Sequence, residues 1–231
     1  MTNVGITTQC ERIANKIADI LPYRDALARQ DRGGASPNIG LLFGASKHRL
    51  QFNTPLLLSE IEVLESRYSF AIPAEYRAFL LTVSGGGAGW SYGLKPPDGW
   101  MEHYDLSAPA LKRAFAEPCL LRPDFAQRVR QKMGLEPDAD VRCLDDWLTL
   151  IGVEENQEQW DNEEWDPFIG TLCLADNGCA TYSVLILNGD FRGRVCHIFR
   201  DYGLPVFAQY AGFLDWYEAW IDGVLRVVRT L

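Results

Sequence analysis

Apolar residues recur at helical spacing in several stretches of the chain. Between residues 7 and 27 they return at intervals of three, four and seven, which predicts an amphipathic helix capped by Thr7 or Thr8 and bent near Pro22. Ser59 and Glu62 have the spacing of a capping box and predict the start of a helix of about ten residues. A second helix is predicted to begin at Pro73, and a final one at about Tyr210. The final helix has one wide apolar face, formed by Phe213, Trp216, Tyr217, Trp220, Val224 and Leu225.

Three short apolar runs, at about 170–175, 181–189 and 193–199, predict β-strands. Turn signals separate them: residues 176–178 read Asp-Asn-Gly, and residues 188–189 read Asn-Gly. Such close spacing predicts an antiparallel meander. Helices, then clustered strands, then a closing helix predict an α+β fold, in which helices pack on one face of a mostly antiparallel twisted sheet.

Glycine, proline and charge divide the chain into two parts. Residues 1–38 end in a polar, glycine-containing connection and are predicted to form an N-terminal helical extension. Residues 39–231 form the predicted main domain, which carries an acidic insertion at about 122–168. Residues 39–57 contain two glycines and a proline, which favours short extended pieces. A further helix is predicted within 109–135.

Composition limits the class of protein. With 231 residues, of which 47% are hydrophobic, the chain can bury a substantial core. No uncharged apolar run is long enough to span a membrane, and the first residues lack a secretory apolar segment, so we expect a cytoplasmic protein. The six cysteines form no CxxC pair and are predicted to be reduced thiols. The alternative, a zinc site at Cys173, Cys179, Cys196 and His197, has no standard spacing, so no metal or other cofactor is predicted.

The net charge of −9 is concentrated in one region. Between Cys143 and Phe191 there is no Lys or Arg, whereas eleven acidic residues occur there, and the rest of the chain has 20 acidic and 22 basic residues. A local negative field attracts basic proteins and repels nucleic acid. The sequence therefore predicts a basic protein partner, with no nucleic acid and no membrane. The alternative is a solvated loop without a partner.

The segment from Leu57 to Gly87 resembles the SUKH superfamily, which includes fungal cell-wall assembly regulators and many bacterial immunity proteins. The residues that carry the resemblance are Leu58, Ser59, Glu60, Glu65, Pro73, Tyr76, Phe79, Leu80, Ser84, Gly85 and Gly86. Ser84 stands where the family pattern has Asn. Four further segments resemble the family in order, at residues 43–57, 86–94, 172–195 and 213–222. The resemblance implies a SUKH-like α+β domain.

Most of these signature residues are expected to be structural. Pro73 suits the start of a helix, Tyr76 and Phe79 suit its buried face, and Gly85 and Gly86 permit a tight exit. Glu65 has two interpretations: a local cap or ion pair, and a position at the rim of a binding cleft.

No catalytic motif accompanies the three histidines, and the glycines at 85–89 follow a helix and do not open one. We therefore predict a non-catalytic protein-binding domain. Its candidate contacts are aromatic or acidic residues in predicted loops and edges. They are Trp90, Tyr92, Trp100, Glu154, Glu155, Glu158, Trp160, Asp161, Glu163, Glu164, Trp165 and Asp166.

Two functions follow from the resemblance and the charge. The favoured one is an immunity protein that neutralises a basic toxin, such as a nuclease, in a bacterial polymorphic toxin system. The alternative is an intracellular scaffold or regulator without a toxin partner.

Overall fold

The fold was examined in a computed structural model that describes residues 3–31, 39–100, 115–119, 121–124, 127, 130–131, 134–137, 139, 168–199 and 205–231. These residues form an α+β fold, as the sequence predicts. The acidic residues from 145 to 166 and most of the predicted helix at 109–135 lie outside the described residues.

Seven helices are described in these ranges. They are α1 Asn3–Ile20, α2 Arg24–Arg29, α3 Ile39–Leu42, α4 Ala45–His48, α5 Leu58–Tyr68, α6 Ala74–Thr82 and α7 Phe213–Val228. A 3₁₀ turn at Leu21–Tyr23 separates α1 from α2, which confirms the predicted bend at Pro22. The short helices α3 and α4 occupy a region predicted to be extended. Gly40 lies inside α3, Gly44 with its positive φ separates the two helices, and α4 ends where Arg49 adopts a left-handed conformation.

Two predicted helix starts are wrong. The first helix begins at Asn3, and Thr7 lies inside it, where its hydroxyl donates to the Asn3 carbonyl at 3.1 Å. Helix α5 begins at Leu58, so Glu60 takes the capping position, and its carboxylate accepts the backbone N–H of Leu57 at 2.7 Å. Apolar periodicity fixes the face of a helix, but hydrogen bonding at the first turn fixes its end.

Among the described residues, the sheet has four antiparallel strands in the order β1-β2-β3-β4. Strand β1 is Thr171–Gly178, β2 is Thr181–Ile186, β3 is Val195–Phe199 and β4 is Val206–Phe207. The first three confirm the predicted meander. The two-residue edge strand β4 was not predicted, since it is too short for a period-two pattern.

Each face of the sheet packs against different residues. Leu172, Leu174, Leu185 and Val195 belong to the main core, together with the apolar face of α7. The opposite face holds a smaller buried cluster, formed by Leu121, Val184, Ile186, Cys196 and Ile198. The alternation of side chains along each strand separates the two clusters.

Helix α7 is the centre of the main core. Its aromatic residues are buried, and the polar tips of two of them are hydrogen-bonded to backbone carbonyls: Tyr217 Oη donates to Ala88 at 2.7 Å and Trp220 Nε1 donates to Leu41 of α3 at 3.2 Å. Glu75 of α6 accepts the backbone N–H of Leu214 at 3.0 Å, which satisfies a free donor in the first turn. The wide apolar face predicted for this helix is confirmed.

Helix α1 packs against α7 and α6 and is part of this core. Its buried apolar side chains are Ile6, Cys10, Ile13, Ile17 and Ile20. The N-terminal extension therefore contributes directly to the interior of the main domain.

Ion pairs join α1 to α7 around Glu218. Arg12 Nε lies 2.5 Å and Lys16 Nζ 2.8 Å from Glu218 Oε1, and Gln9 Nε2 donates to Oε2 at 3.0 Å. The Glu218 side chain is only 10% exposed. Burial raises the pKa of this carboxyl, but the hydrogen bonds from Arg12, Lys16 and Gln9 outweigh burial and hold the pKa at about 2.

The stability of the fold should therefore fall in acid as Glu218 becomes protonated. The pKa in the folded state lies below the ordinary value of 4.5, so this stabilisation is complete above pH 4.5 and is lost as the pH falls towards about 2. Glu218→Gln should lower the free energy of unfolding by about 2 kcal/mol at pH 7 and flatten its decline between pH 4.5 and 2. Urea unfolding at a series of pH values measures both effects. The control Asp19→Asn, at an exposed carboxylate of α1, should leave the profile unchanged; equal profiles for E218Q and the native chain would contradict the prediction.

Candidate functional site

A cavity of about 390 Å³ lies between the helix-facing side of the sheet, β4 and the start of α7. Its aromatic lining comes from Trp90, Tyr210 and Trp216, whereas the ring of Phe207 packs 5.4 Å from that of Phe191 on the opposite face of the sheet. Its polar lining includes Asn177 of β1, Ser183 of β2 and His197 of β3. Three strands thus each contribute one polar side chain to this cavity. We call it the β4 cavity.

The three polar residues form a hydrogen-bonded chain. Ser183 and His197 are direct partners in the β2–β3 register, and Ser183 Oγ lies 3.0 Å from His197 Nδ1. Asn177 Nδ2 donates to Ser183 Oγ at 2.9 Å. Burial lowers the pKa of His197, which keeps the ring neutral at pH 7.

A bulge in β1 gives Asn177 its position. The pairing shifts between Asp176, opposite Tyr182, and Gly178, opposite Thr181, so Asn177 is the extra residue. Bulges redirect side chains in this way. The hairpin turn itself is Cys179–Ala180, both with positive φ, whereas the sequence predicts it at residues 176–178. The prediction is wrong by about two residues because Asp176 and Asn177 remain in the ladder.

The three described aromatic candidates lie in different surroundings. Tyr92 is 39% exposed and its ring packs 5.2 Å from that of Phe43. Trp90 is partly buried at the β4 cavity, and its Nε1 donates to the Trp216 carbonyl at 3.2 Å. Trp100 is fully buried against Tyr76, with its Nε1 bonded to the Lys95 carbonyl, so a surface contact through Trp100 is corrected to a core position.

Three of the signature residues build the core. Pro73 precedes α6, and Tyr76 and Phe79 are fully buried against Phe213 of α7, at ring distances of 4.6 and 5.1 Å. Burial raises the pKa of Tyr76 above its ordinary value. These residues hold α6 on α7, as expected for structural positions.

Glu65 acts locally. Its Oε1 accepts the Ile72 backbone N–H at 2.8 Å and lies 3.7 Å from Arg77 Nε, which ties the end of α5 to the start of α6. The structure therefore supports the first of its two interpretations, a local cap and ion pair.

The glycines after α6 are required for two different reasons. Gly86 has a φ of +120°, a conformation that favours glycine. Gly85 does not have positive φ, but a Cβ there would lie 2.7 Å from the Thr54 carbonyl oxygen. Close approach to the extended segment before α5 therefore explains Gly85, and backbone conformation explains Gly86.

The remaining candidates lie outside the described residues. They are Glu154, Glu155, Glu158, Trp160, Asp161, Glu163, Glu164, Trp165 and Asp166. Their contacts stay predictions. The sequence did not indicate Ser183 or Asn177 as site residues, and it offered His197 only as a possible zinc ligand, because no local motif joins residues that meet through strand pairing.

In the described part of the chain, Cys10, Cys173 and Cys196 are buried, whereas Cys179 is exposed. Cys10, Cys119, Cys173, Cys179 and Cys196 are free, and burial raises the pKa of Cys119 to about 12. Among the residues that the structure describes, no three His, Cys, Asp or Glu side chains are grouped to hold a metal ion. In the same ranges, every helix is too short or too polar to cross a bilayer.

A second concave surface of about 440 Å³ lies beside α5. Leu56, Val63, Leu64 and Tyr68 contribute its apolar part, with charged groups such as Arg67 at its edge. It lacks the interior polar chain of the β4 cavity and serves below as a control surface.

Comparison with known proteins gives one match. The model of the SMI1 / KNR4 family (SUKH-1) matches residues 55–219. This range covers α5, α6, the four strands and the first half of α7, and it includes both Trp90 and the residues of the β4 cavity. No curated protein and no solved structure matches the chain.

Proposed function

The chain belongs to the SMI1 / KNR4 family (SUKH-1), and from this premise we propose that it is a non-catalytic protein-binding domain that acts as an immunity protein. It binds and neutralises a basic toxin, such as a nuclease, of a bacterial polymorphic toxin system. The proposal places this activity in the cytoplasm, where an incoming toxin domain would act.

The observation that carries the proposal is the concentration of negative charge. Eleven acidic residues and no Lys or Arg occur between Cys143 and Phe191. A field of one sign accelerates association with an oppositely charged partner, and it disfavours nucleic acid as the ligand. A nuclease or similar toxin, which has a basic surface to bind phosphates, suits this field.

The β4 cavity supports the proposal as a place for specific contacts. The acidic segment leads directly into β1, and β1 supplies Asn177 to the β4 cavity. Beside this cavity, Trp90 and the exposed Tyr92 offer aromatic contact area. We therefore propose that the charged segment attracts the partner and that the β4 cavity provides contacts within the same interface.

Coexpression with the toxin-like product of an adjacent gene tests the proposal. The chain should restore growth of cells that make the toxin and should form a complex of defined stoichiometry with it on size exclusion. A catalytically inactive toxin supplies enough protein for the binding arm. Growth arrest despite soluble expression of both proteins, with no complex, would contradict an immunity function.

The rival is a regulator or scaffold of the cell-wall assembly type, which the family resemblance also implies. In that case, pull-down from the native cell should recover housekeeping proteins, and the gene should lie apart from toxin and secretion genes. The protection experiment separates the two functions, since a scaffold has no reason to block a toxin.

A further inference from the structure

The hydrogen-bonded chain in the β4 cavity fixes which groups remain for a ligand. Asn177 Nδ2 donates to Ser183 Oγ at 2.9 Å, and two acceptors lie within reach of the Ser183 hydroxyl, His197 Nδ1 at 3.0 Å and Asn177 Oδ1 at 3.4 Å. We assign the hydroxyl proton to the nearer acceptor, His197 Nδ1. A neutral imidazole that accepts at Nδ1 carries its proton on Nε2. The His197 ring lines the cavity and therefore offers it one N–H donor, Nε2–H.

The cavity disfavours a charged occupant. None of its described lining residues carries a charge at pH 7, because burial keeps His197 neutral. A charged group placed there would lose water and gain no counterion, which is costly. The negative charge that attracts a basic partner therefore does not determine which group enters the cavity.

The walls favour an aromatic ring. Trp90, Tyr210 and Trp216 line the space, and aromatic rings gain from tilted or edge contacts beyond their buried area. A volume of about 390 Å³ lies near the lower end of the range for ligand sites and has room for one ring. The occupant then needs an apolar ring and a hydrogen-bond acceptor at one end.

We propose that the β4 cavity receives a tyrosine side chain of the protein partner, whose phenol oxygen accepts a hydrogen bond from His197 Nε2. This inference rests on the proposed function for the existence of a protein partner. It adds the chemistry of the contact: opposite charge attracts the partner, and a neutral aromatic side chain anchors it in the cavity. Tyrosine is among the residues that dominate binding energy at interfaces.

Titration of the full chain with p-cresol, the side-chain analogue of tyrosine, tests the pocket. Nitrogen-labelled protein reports through Trp90 Nε1–H and the His197 ring in NMR spectra. We expect saturable shifts of both signals with p-cresol, at least threefold weaker binding of toluene, which lacks the acceptor, and no binding of n-butylammonium. Equal affinity for p-cresol and toluene, or preferential binding of the cation, would overturn the proposal.

Two variants separate the hydrogen bond from the shape of the cavity. His197→Phe keeps a ring but removes the donor, so it should abolish the preference for p-cresol over toluene. Val63→Ala, at the concave surface beside α5, should leave both affinities unchanged. If H197F failed to fold, Ser183→Ala should still weaken p-cresol binding, because it removes the group that holds the ring. A preference retained in both cavity variants would overturn the assignment.

The complex distinguishes a partner's tyrosine from a free phenolic ligand. Once the inactive toxin is bound, p-cresol should no longer shift Trp90 Nε1–H, since the cavity is filled; continued binding of p-cresol to the complex would overturn the inference. If p-cresol did not bind as expected, the protection experiment would still test the proposed function independently. Conversely, p-cresol binding without protection or complex formation would reject the proposed function and not the pocket.

Discussion

A chain that begins at residue 39 is expected not to form a stable domain. Removal of α1 exposes the surfaces of α6 and α7 that α1 covers, together with the carboxylate of Glu218. Because single domains are stable by only about 5–15 kcal/mol, the loss of a whole buried helix face exceeds that margin. Circular dichroism and thermal unfolding of residues 39–231 beside the full chain provide the measurement.

Point substitutions make the same test without truncation. Ile13 is fully buried, so Ile13→Ala should lower the free energy of unfolding by about 3 kcal/mol. Val4, on the same helix but 76% exposed, is the matched control, and Val4→Ala should change stability by less than about 0.5 kcal/mol. If the truncated chain unfolded at the same midpoint as the full chain, α1 would be an appendage and its packing would contribute nothing.

Neutralising the acidic segment is expected to weaken the toxin complex by at least about 100-fold, mainly through slower association. The variant replaces seven carboxylates with amides at Glu154, Glu155, Glu158, Asp161, Glu163, Glu164 and Asp166. Amides keep the size of each side chain, so the change isolates charge. Association rates by surface plasmon resonance, at low and at physiological salt, measure the effect, and the native complex should show the steeper salt dependence.

A matched control separates position from net charge. One variant neutralises Glu154, Glu155, Glu163 and Glu164, and the other neutralises Glu11, Asp19, Asp25 and Glu62, which are exposed on α1, α2 and α5. Both change the net charge by four, but only the first should slow association. Equal slowing in the two variants would show that overall charge, and not this segment, attracts the partner.

Features with a local physical cause could be predicted from the sequence. Buried side chains return every 3.6 residues on a helix and every two on a strand, so the apolar face of α7 and the β1-β2-β3 meander are visible in the pattern. The segment around Pro73, Tyr76 and Phe79 also indicates the family, which the family match confirms. The role predicted for this segment was structural, and in the fold Tyr76 and Phe79 pack α6 on α7.

Element ends depend on individual hydrogen bonds and were predicted less well. Ser59 and Glu62 have the right chemistry for a capping box, but α5 begins at Leu58, one residue before Ser59, and the Glu60 carboxylate accepts the N–H of Leu57 instead. The hairpin turn shifted for the same reason, because the pairing of Gly178 with Thr181 leaves Cys179 and Ala180 as the turn.

The sequence by itself determined the fold class, the faces of its long helices and strands, the family and the concentration of negative charge. Only the tertiary structure decided that α1 belongs to the core, since the apolar faces of α1 and α7 lie about 200 residues apart in the chain. It also decided that Asn177, Ser183 and His197 meet in one cavity. A bulge and the β2–β3 register bring them together, and contacts between distant residues depend on the whole packed chain, whereas periodicity reports only on neighbours.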